Sequence, residues 1–158
     1  MDFKQSLIIS CVIVLGIAGM FSGYSVYQNN IKMHENYIEA QDAFRNSNLK
    51  QADKLLEGKP PRDIEKEFYL LKYNVEMNLN KLYQAEQTAL QLLKINPKDA
   101  FYNYLLGLVY FNLDEREKTE LYLKNAVEFS PENVDYKIYL ANCYGNYGKA
   151  KALAADSC

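Results

Sequence analysis

Tryptophan is absent from this chain, histidine occurs once, at His34, and three cysteines, Cys11, Cys143 and Cys158, stand far apart with no CxxC spacing. An odd number of scattered cysteines argues against a disulfide framework and against a zinc site. No HExxH, GxSxG, P-loop or GxGxxG occurs, so the common motifs for metal hydrolysis, nucleophilic catalysis and nucleotide binding are missing. A basic stripe is missing too. Formal net charge is -2 with acidic and basic residues interspersed, which leaves no electrostatic footprint for nucleic acid. Proline (4) and glycine (7) are sparse, as expected of a chain made of helices.

What remains is apolar and rich in tyrosine, which occurs 14 times. Ala100 to Asn133 reads as two amphipathic helices and a proline-terminated turn. Its landmarks recur: Leu106 and Leu140, Gly107 and Ala141, Tyr110 and Tyr144, Asn112 and Asn146 are each 34 residues apart, as are Pro97 and Pro131. A fixed period of this length marks units that stack because none buries its apolar face alone.

The chain before the repeats is different. Leu7 to Tyr27 is a run of 21 residues without a charge, and a helix of that length crosses roughly 30 Å. It follows a six-residue tail (1–6), with Lys4 before it, Lys32 after it, and Tyr24 and Tyr27 where interfacial aromatics fall. The expectation is a single-pass signal-anchor with the C-terminal domain outside the cytoplasm. A cleaved signal peptide using Gly16, Ile17 and Ala18, and a lipoprotein site at Cys11, are the alternatives. Gly19 and Gly23 form a GxxxG, a motif that lets such helices associate closely.

After a polar linker at 28–32, four units follow, at about 33–65, 66–99, 100–133 and 134–158. The first turns at Asn46-Ser47-Asn48 and stops at Gly58-Lys59-Pro60-Pro61, after which Asp63 is placed to cap the next helix. The second turns at Asn80 and ends at Asn96-Pro97. The third turns at Asp114-Glu115 and ends at Ser130-Pro131. The fourth is expected to turn between Gly145 and Gly148 and to finish with a truncated helix, so that the array is either uncapped or part of a longer one.

These landmarks resemble the tetratricopeptide repeat (TPR), most closely in Leu106, Gly107, Tyr110, Ala126 and Pro131, then in Leu140, Ala141, Tyr144 and Gly148. Tyr69, Ala85 and Pro97 fit in the second unit, where bulky Tyr73 replaces a small residue opposite Ala85. Tyr37, Ala40 and Ala52 fit in the first. The resemblance implies an all-α fold, a short right-handed solenoid of antiparallel helix pairs, and the apolar run places one N-terminal transmembrane helix before it.

It also implies a peptide-binding groove lined by the first helix of each unit: Tyr37 and Gln41; Leu70, Asn74, Met77 and Asn78; Phe101, Tyr104, Leu108, Phe111 and Asn112; Ile138, Asn142 and Asn146. The recurrent Asn78, Asn112 and Asn146 either hold a peptide backbone through their amides or simply end their helices. Members that clamp a terminal carboxylate use a basic set that these positions lack. The expected function is a membrane-anchored adaptor or assembly factor that binds a polypeptide, with no catalytic residue, metal or cofactor and no nucleic acid. The alternative is a scaffold that self-associates through Gly19, Gly23 and the last repeat. His34 is expected to be a solvated surface residue, and Cys143 a small buried hydrophobe.

Overall fold

The computed structural model describes residues 3–155, with side-chain surroundings for 20–145 other than 21, and for 148. Seven α-helices follow one another: α1 (Phe3–Arg45), α2 (Leu49–Leu55), α3 (Glu65–Asn78), α4 (Leu82–Ile95), α5 (Ala100–Asn112), α6 (Arg116–Phe129) and α7 (Val134–Ala155). A 3-10 turn, Arg62–Ile64, precedes α3. No strand occurs among the described residues. Each pair α1/α2, α3/α4 and α5/α6 is an antiparallel hairpin, and consecutive hairpins pack through α2 on α3, α4 on α5 and α6 on α7.

The hairpin turns are built alike. Ser47, Asn80 and Asp114 take φ of 58°, 56° and 58°, the left-handed conformation that ends a helix. The next amide, of Asn48, Lys81 or Glu115, then donates to the carbonyl five residues back, on Ala43, Glu76 or Tyr110, at 2.8–2.9 Å. The hairpins are joined by a second recurring device. Asp99 N–H donates to Asn96 O and Asn133 N–H to Ser130 O, closing turns around Pro97 and Pro131. Asp99 and Asn133 then cap the following helices by accepting from the amides of Tyr102 and Tyr136.

Two buried clusters fill the hairpins. Met33, Ala40, Ala43, Ala52, Leu56, Phe68 and Val75 form one. The other gathers Tyr73, Ala85, Ala89, Leu92, Tyr102, Leu105, Leu106, Val109 and Tyr110. Bulk alternates across the hairpins. A Cβ added to Gly107 would lie 2.9 Å from Leu123 Cγ, whereas Tyr73 shares its cluster with Ala85 and Ala89 and donates from its hydroxyl to Leu105 O at 2.9 Å. One side of each contact is therefore small enough for the helices to approach.

On the outer side, Tyr110 donates to Glu86 and, 34 residues later, Tyr144 donates to Glu120. The tyrosine of one hairpin thereby ties it to the second helix of the hairpin before. The matching position in the second hairpin is Glu76, which is buried, with one carboxylate oxygen unpartnered among the described residues. Burial raises its pKa against the lowering effect of Thr88, which bonds the carboxylate.

Several expectations are corrected. Among the described residues no helix is long and apolar enough to cross a membrane, which overturns the single-pass anchor and the localisation built on it. The helix that carries 7–27 does not stop at a linker: 28–32 is helical, and α1 runs on through Lys32, Glu35, Glu39, Asp42 and Arg45. In its described part only 20–31 is free of charge. Positions 7–19 and 21 of the expected span, Gly19 among them, lie outside the described side chains. Gly23 has nothing within 4 Å of an added Cβ.

Asp63 does not cap α3, whose first turn has no side-chain cap. It accepts instead from His34 Nε2 at 2.8 Å, while His34 Nδ1 lies 2.8 Å from Asn30 O. The histidine stays at the surface, as expected, and also links α1 to the 3-10 turn; both bonds raise its pKa, the Asn30 carbonyl most. Finally, α7 continues through Gly145 and Gly148 to Ala155, so the expected turn there is not made. The segment after Gly148, Lys-Ala-Lys-Ala-Leu-Ala-Ala, is dominated by strong helix formers and offers one large apolar side chain to bury.

Candidate functional site

The caps at Asp99 and Asn133 set the rotational phase of α5 and α7. Asn103 fixes α5 further: it is buried, donates to the carbonyls of Pro97 and Asp99 at 3.2 and 2.8 Å, and accepts from Asn125 on α6. With the start of each helix held, residues three and four apart face the neighbour. On α7 these are Tyr136, Tyr139 and Cys143, and on α5 Phe101, Tyr104, Leu108 and Phe111.

Four aromatic rings meet there. Phe101 stacks on Tyr104 at 6.3 Å between centroids, Tyr104 lies 5.0 Å from Tyr136, and Tyr139 meets Tyr104 edge-on at 5.0 Å. Pairs of this kind each contribute about 0.5–1.5 kcal/mol beyond burial, enough to hold α7 in place by one face. Burial, then the Tyr139 hydroxyl, pushes the Tyr104 phenol above its ordinary range. Burial, then the Asp99 and Asp135 carboxylates, does the same for Tyr136.

Tyr139 divides the space between α5 and α7 into two clefts. The narrower, about 270 Å³, is lined by Leu108, Phe111, Leu123, Tyr139, Asn142 and Cys143. Leu123 reaches it from α6 because Gly107 lets that helix come close. The wider and more open cleft, about 510 Å³, is lined by Phe101, Tyr104, Asn133, Asp135, Tyr136 and Tyr139. Among the described residues no lysine, arginine or histidine lines either one. The chemistry on offer is aromatic and aliphatic contact, two amides and a carboxylate. Among the described residues no group of His, Cys, Asp and Glu could hold a metal ion.

Phe101, Tyr104, Leu108, Phe111 and Asn142 are thus brought together. The others lie elsewhere. Tyr37 accepts from Gln41 and packs against Phe68. Leu70 and Met77 pack on the second cluster, and Asn74 is exposed. Ile138 is 49% exposed and lines neither cleft. Asn78 and Asn112 donate to the carbonyls of Asn74 and Leu108, four residues back on their own helices, and Asn146 lies outside the described side chains. Sequence reasoning missed Tyr136, Tyr139, Asp135, Asn133 and Leu123 as lining residues. The spacing of Tyr136, Tyr139 and Cys143 at three and four along a helix was the signal that could have found them.

No family model matches the sequence, and no curated protein matches it. Solved structures do resemble it. The first TPR of Spaghetti (RPAP3) bound to the HSP90 peptide SRMEEVD has a TM-score of 0.62 at 16% identity, covering 79% of this chain and 95% of that one. MamA (41-end) from Desulfovibrio magneticus RS-1 has a TM-score of 0.65 at 20% identity, covering 78% and 70%. The Arabidopsis OM64 TPR domain has a TM-score of 0.61 at 15% identity, covering 75% and 98%. At these identities the likeness is one of fold: the helical hairpins are stacked as in TPR domains.

Proposed function

With a TPR-like fold as the premise, we propose that this protein is an interaction module that binds a polypeptide in the paired clefts between α5 and α7. The observation that carries this reading is the local one. Apolar and aromatic side chains, Phe101 at 43% and Phe111 at 38% exposure among them, converge on a concave space that the described residues leave unfilled. Such a patch, rimmed by amides, is the usual form of a protein-binding surface. The RPAP3 neighbour holds the acidic peptide SRMEEVD; the clefts here hold Asp135 and no base, so a peptide of that charge is disfavoured.

The test replaces Phe111 and Asn142, alone and together, with alanine, and follows capture of partners together with the far-ultraviolet circular dichroism of each variant. Capture should fall at least tenfold, by the usual weight of a central anchor, while helicity is kept. Undiminished capture by the folded double variant sinks the reading.

A second reading rests on a different face. Val134 and Ile138 are 63% and 49% exposed on α7, and Ala141 continues their stripe at spacings of four and three. This is where a further helix of a repeat array would stack. If copies pair through that stripe the protein is a scaffold, and light scattering at high concentration would show dimers that Ile138→Glu dissolves.

A further inference from the structure

We propose that the wider cleft is a seat for a basic side chain, arginine or lysine, and that the partner carries an apolar side chain about three residues away for the narrower cleft. The inference rests on the groove reading above and gives that groove a sequence preference. The wider cleft is lined by Phe101, Tyr104, Tyr136 and Tyr139, of which Phe101 and Tyr139 are exposed at 43% and 44%, together with the exposed Asp135. Aromatic faces are electron-rich and attract cations, more strongly where water is partly excluded. A carboxylate at the rim adds a charged acceptor that an arginine or lysine can reach.

Asp135 takes part in none of the ion pairs among the described residues, and Asp99, the second carboxylate bearing on Tyr136, caps α5. Lys137, the nearest base along α7, lines neither cleft. The chain itself makes the contact elsewhere, with Lys118 Nζ placed 4.7 Å from the Tyr110 ring centroid. The narrower cleft differs in kind, since Leu108, Phe111, Leu123 and Cys143 give it an apolar floor and it contains no charge.

The spacing follows from helix geometry. Phe101 and Tyr104 precede Leu108 and Phe111 by seven residues each, which at the rise of a helix is about 10 Å. An extended peptide covers that in about three residues. The preferred ligand is therefore an extended segment with arginine or lysine three positions from leucine, isoleucine, methionine or phenylalanine.

The experiment pans a library of random dodecapeptides against the full chain and measures the recovered peptides, synthesised and fluorescein-labelled, by anisotropy. Recovered peptides are expected to share the basic and apolar pair at that spacing. Changing their basic residue to glutamine should weaken binding about tenfold, and Asp135→Asn and Phe101→Ala should each weaken the parent peptides but not the glutamine versions. Peptides that carry apolar anchors alone, or acidic residues, and that still depend on Phe111 overturn the basic seat and leave the groove reading standing. If no peptide is recovered, or none responds to Phe111→Ala, both fall. Asp135→Asn keeps the shape of the side chain, and circular dichroism of each variant separates lost binding from lost folding.

Discussion

The α5/α6 hairpin and α7 carry the same landmarks 34 residues apart and end differently. At Asp114 the chain turns left-handed and comes back as α6. At Gly148, in the matching place, it stays helical. Ser47, Asn80 and Asp114 each carry a Cβ, which makes the left-handed region costlier for them than for glycine, least so for Asn and Asp, and all three adopt it. Glycine would enter it freely and does not. Local preference marks where this chain is able to turn but does not by itself decide that it does. The turn is made where the next helix has an apolar face to bury, as Leu123 and Ala126 do in α6, and is omitted where an alanine-rich segment follows.

The comparison can be strained most at the close contact inside α5/α6. Gly107→Val puts side-chain atoms where Leu123 now sits and should lower stability by about 2–3 kcal/mol, read as a fall in thermal midpoint. It should also push Leu123 out of the narrower cleft. On the other side, Gly148→Ala separates the two states of α7. In a continuous helix it stabilises by about 0.5–1 kcal/mol, whereas at a left-handed turn it would cost a similar amount or more. A rise in helicity and midpoint is expected, and a fall would show that α7 folds back in solution. Asp114→Gly relieves the strained turn of α5/α6 and should add up to about 1 kcal/mol.

Glu76 sharpens the comparison through pH, because it stands where α5 and α7 have Tyr110 and Tyr144. Its raised pKa means that the folded state holds the proton more tightly than the unfolded chain. Stability should fall as pH rises from the ordinary value near 4.5 through the raised one. Glu76→Gln should flatten that slope, as midpoints measured between pH 4 and 7 would show. His34 gives the smallest effect and follows the same rule. Its raised pKa makes the link to Asp63 strongest below about 6.5 and weaker as pH rises through the raised value. Protection from hydrogen exchange at the 3-10 turn, measured against the intrinsic rate at each pH, should fall between pH 6 and 8, and Asp63→Asn should remove that fall.

Much of the hairpin architecture is legible in the sequence because its causes are local and repeated. Asn46-Ser47-Asn48, Asn80, Pro97 and Pro131 mark chain reversals that the structure makes, and Gly107 marks the contact that needs a small residue. The candidate site was half legible. Repeat register pointed to Phe101, Tyr104, Leu108 and Phe111, but the facing wall from α7 was missed, since Tyr136 and Tyr139 enter only when two hairpins stack at a particular angle. Asn103 gave no sign either. Its amide is buried because three segments, the Pro97 turn, α5 and α6, meet there.

What the sequence by itself determined is the repeat: which residues are small, which are apolar, and where a helix is able to stop. Those depend on side-chain volume and backbone preference, which each residue carries with it. What only the tertiary structure decided is continuity and depth. It decided that α1 runs unbroken into the first hairpin, that α7 passes through the last available turn, and that Tyr139 divides one groove into two clefts. The division of the groove depends on how α7 packs against α5, which lies tens of residues away along the chain.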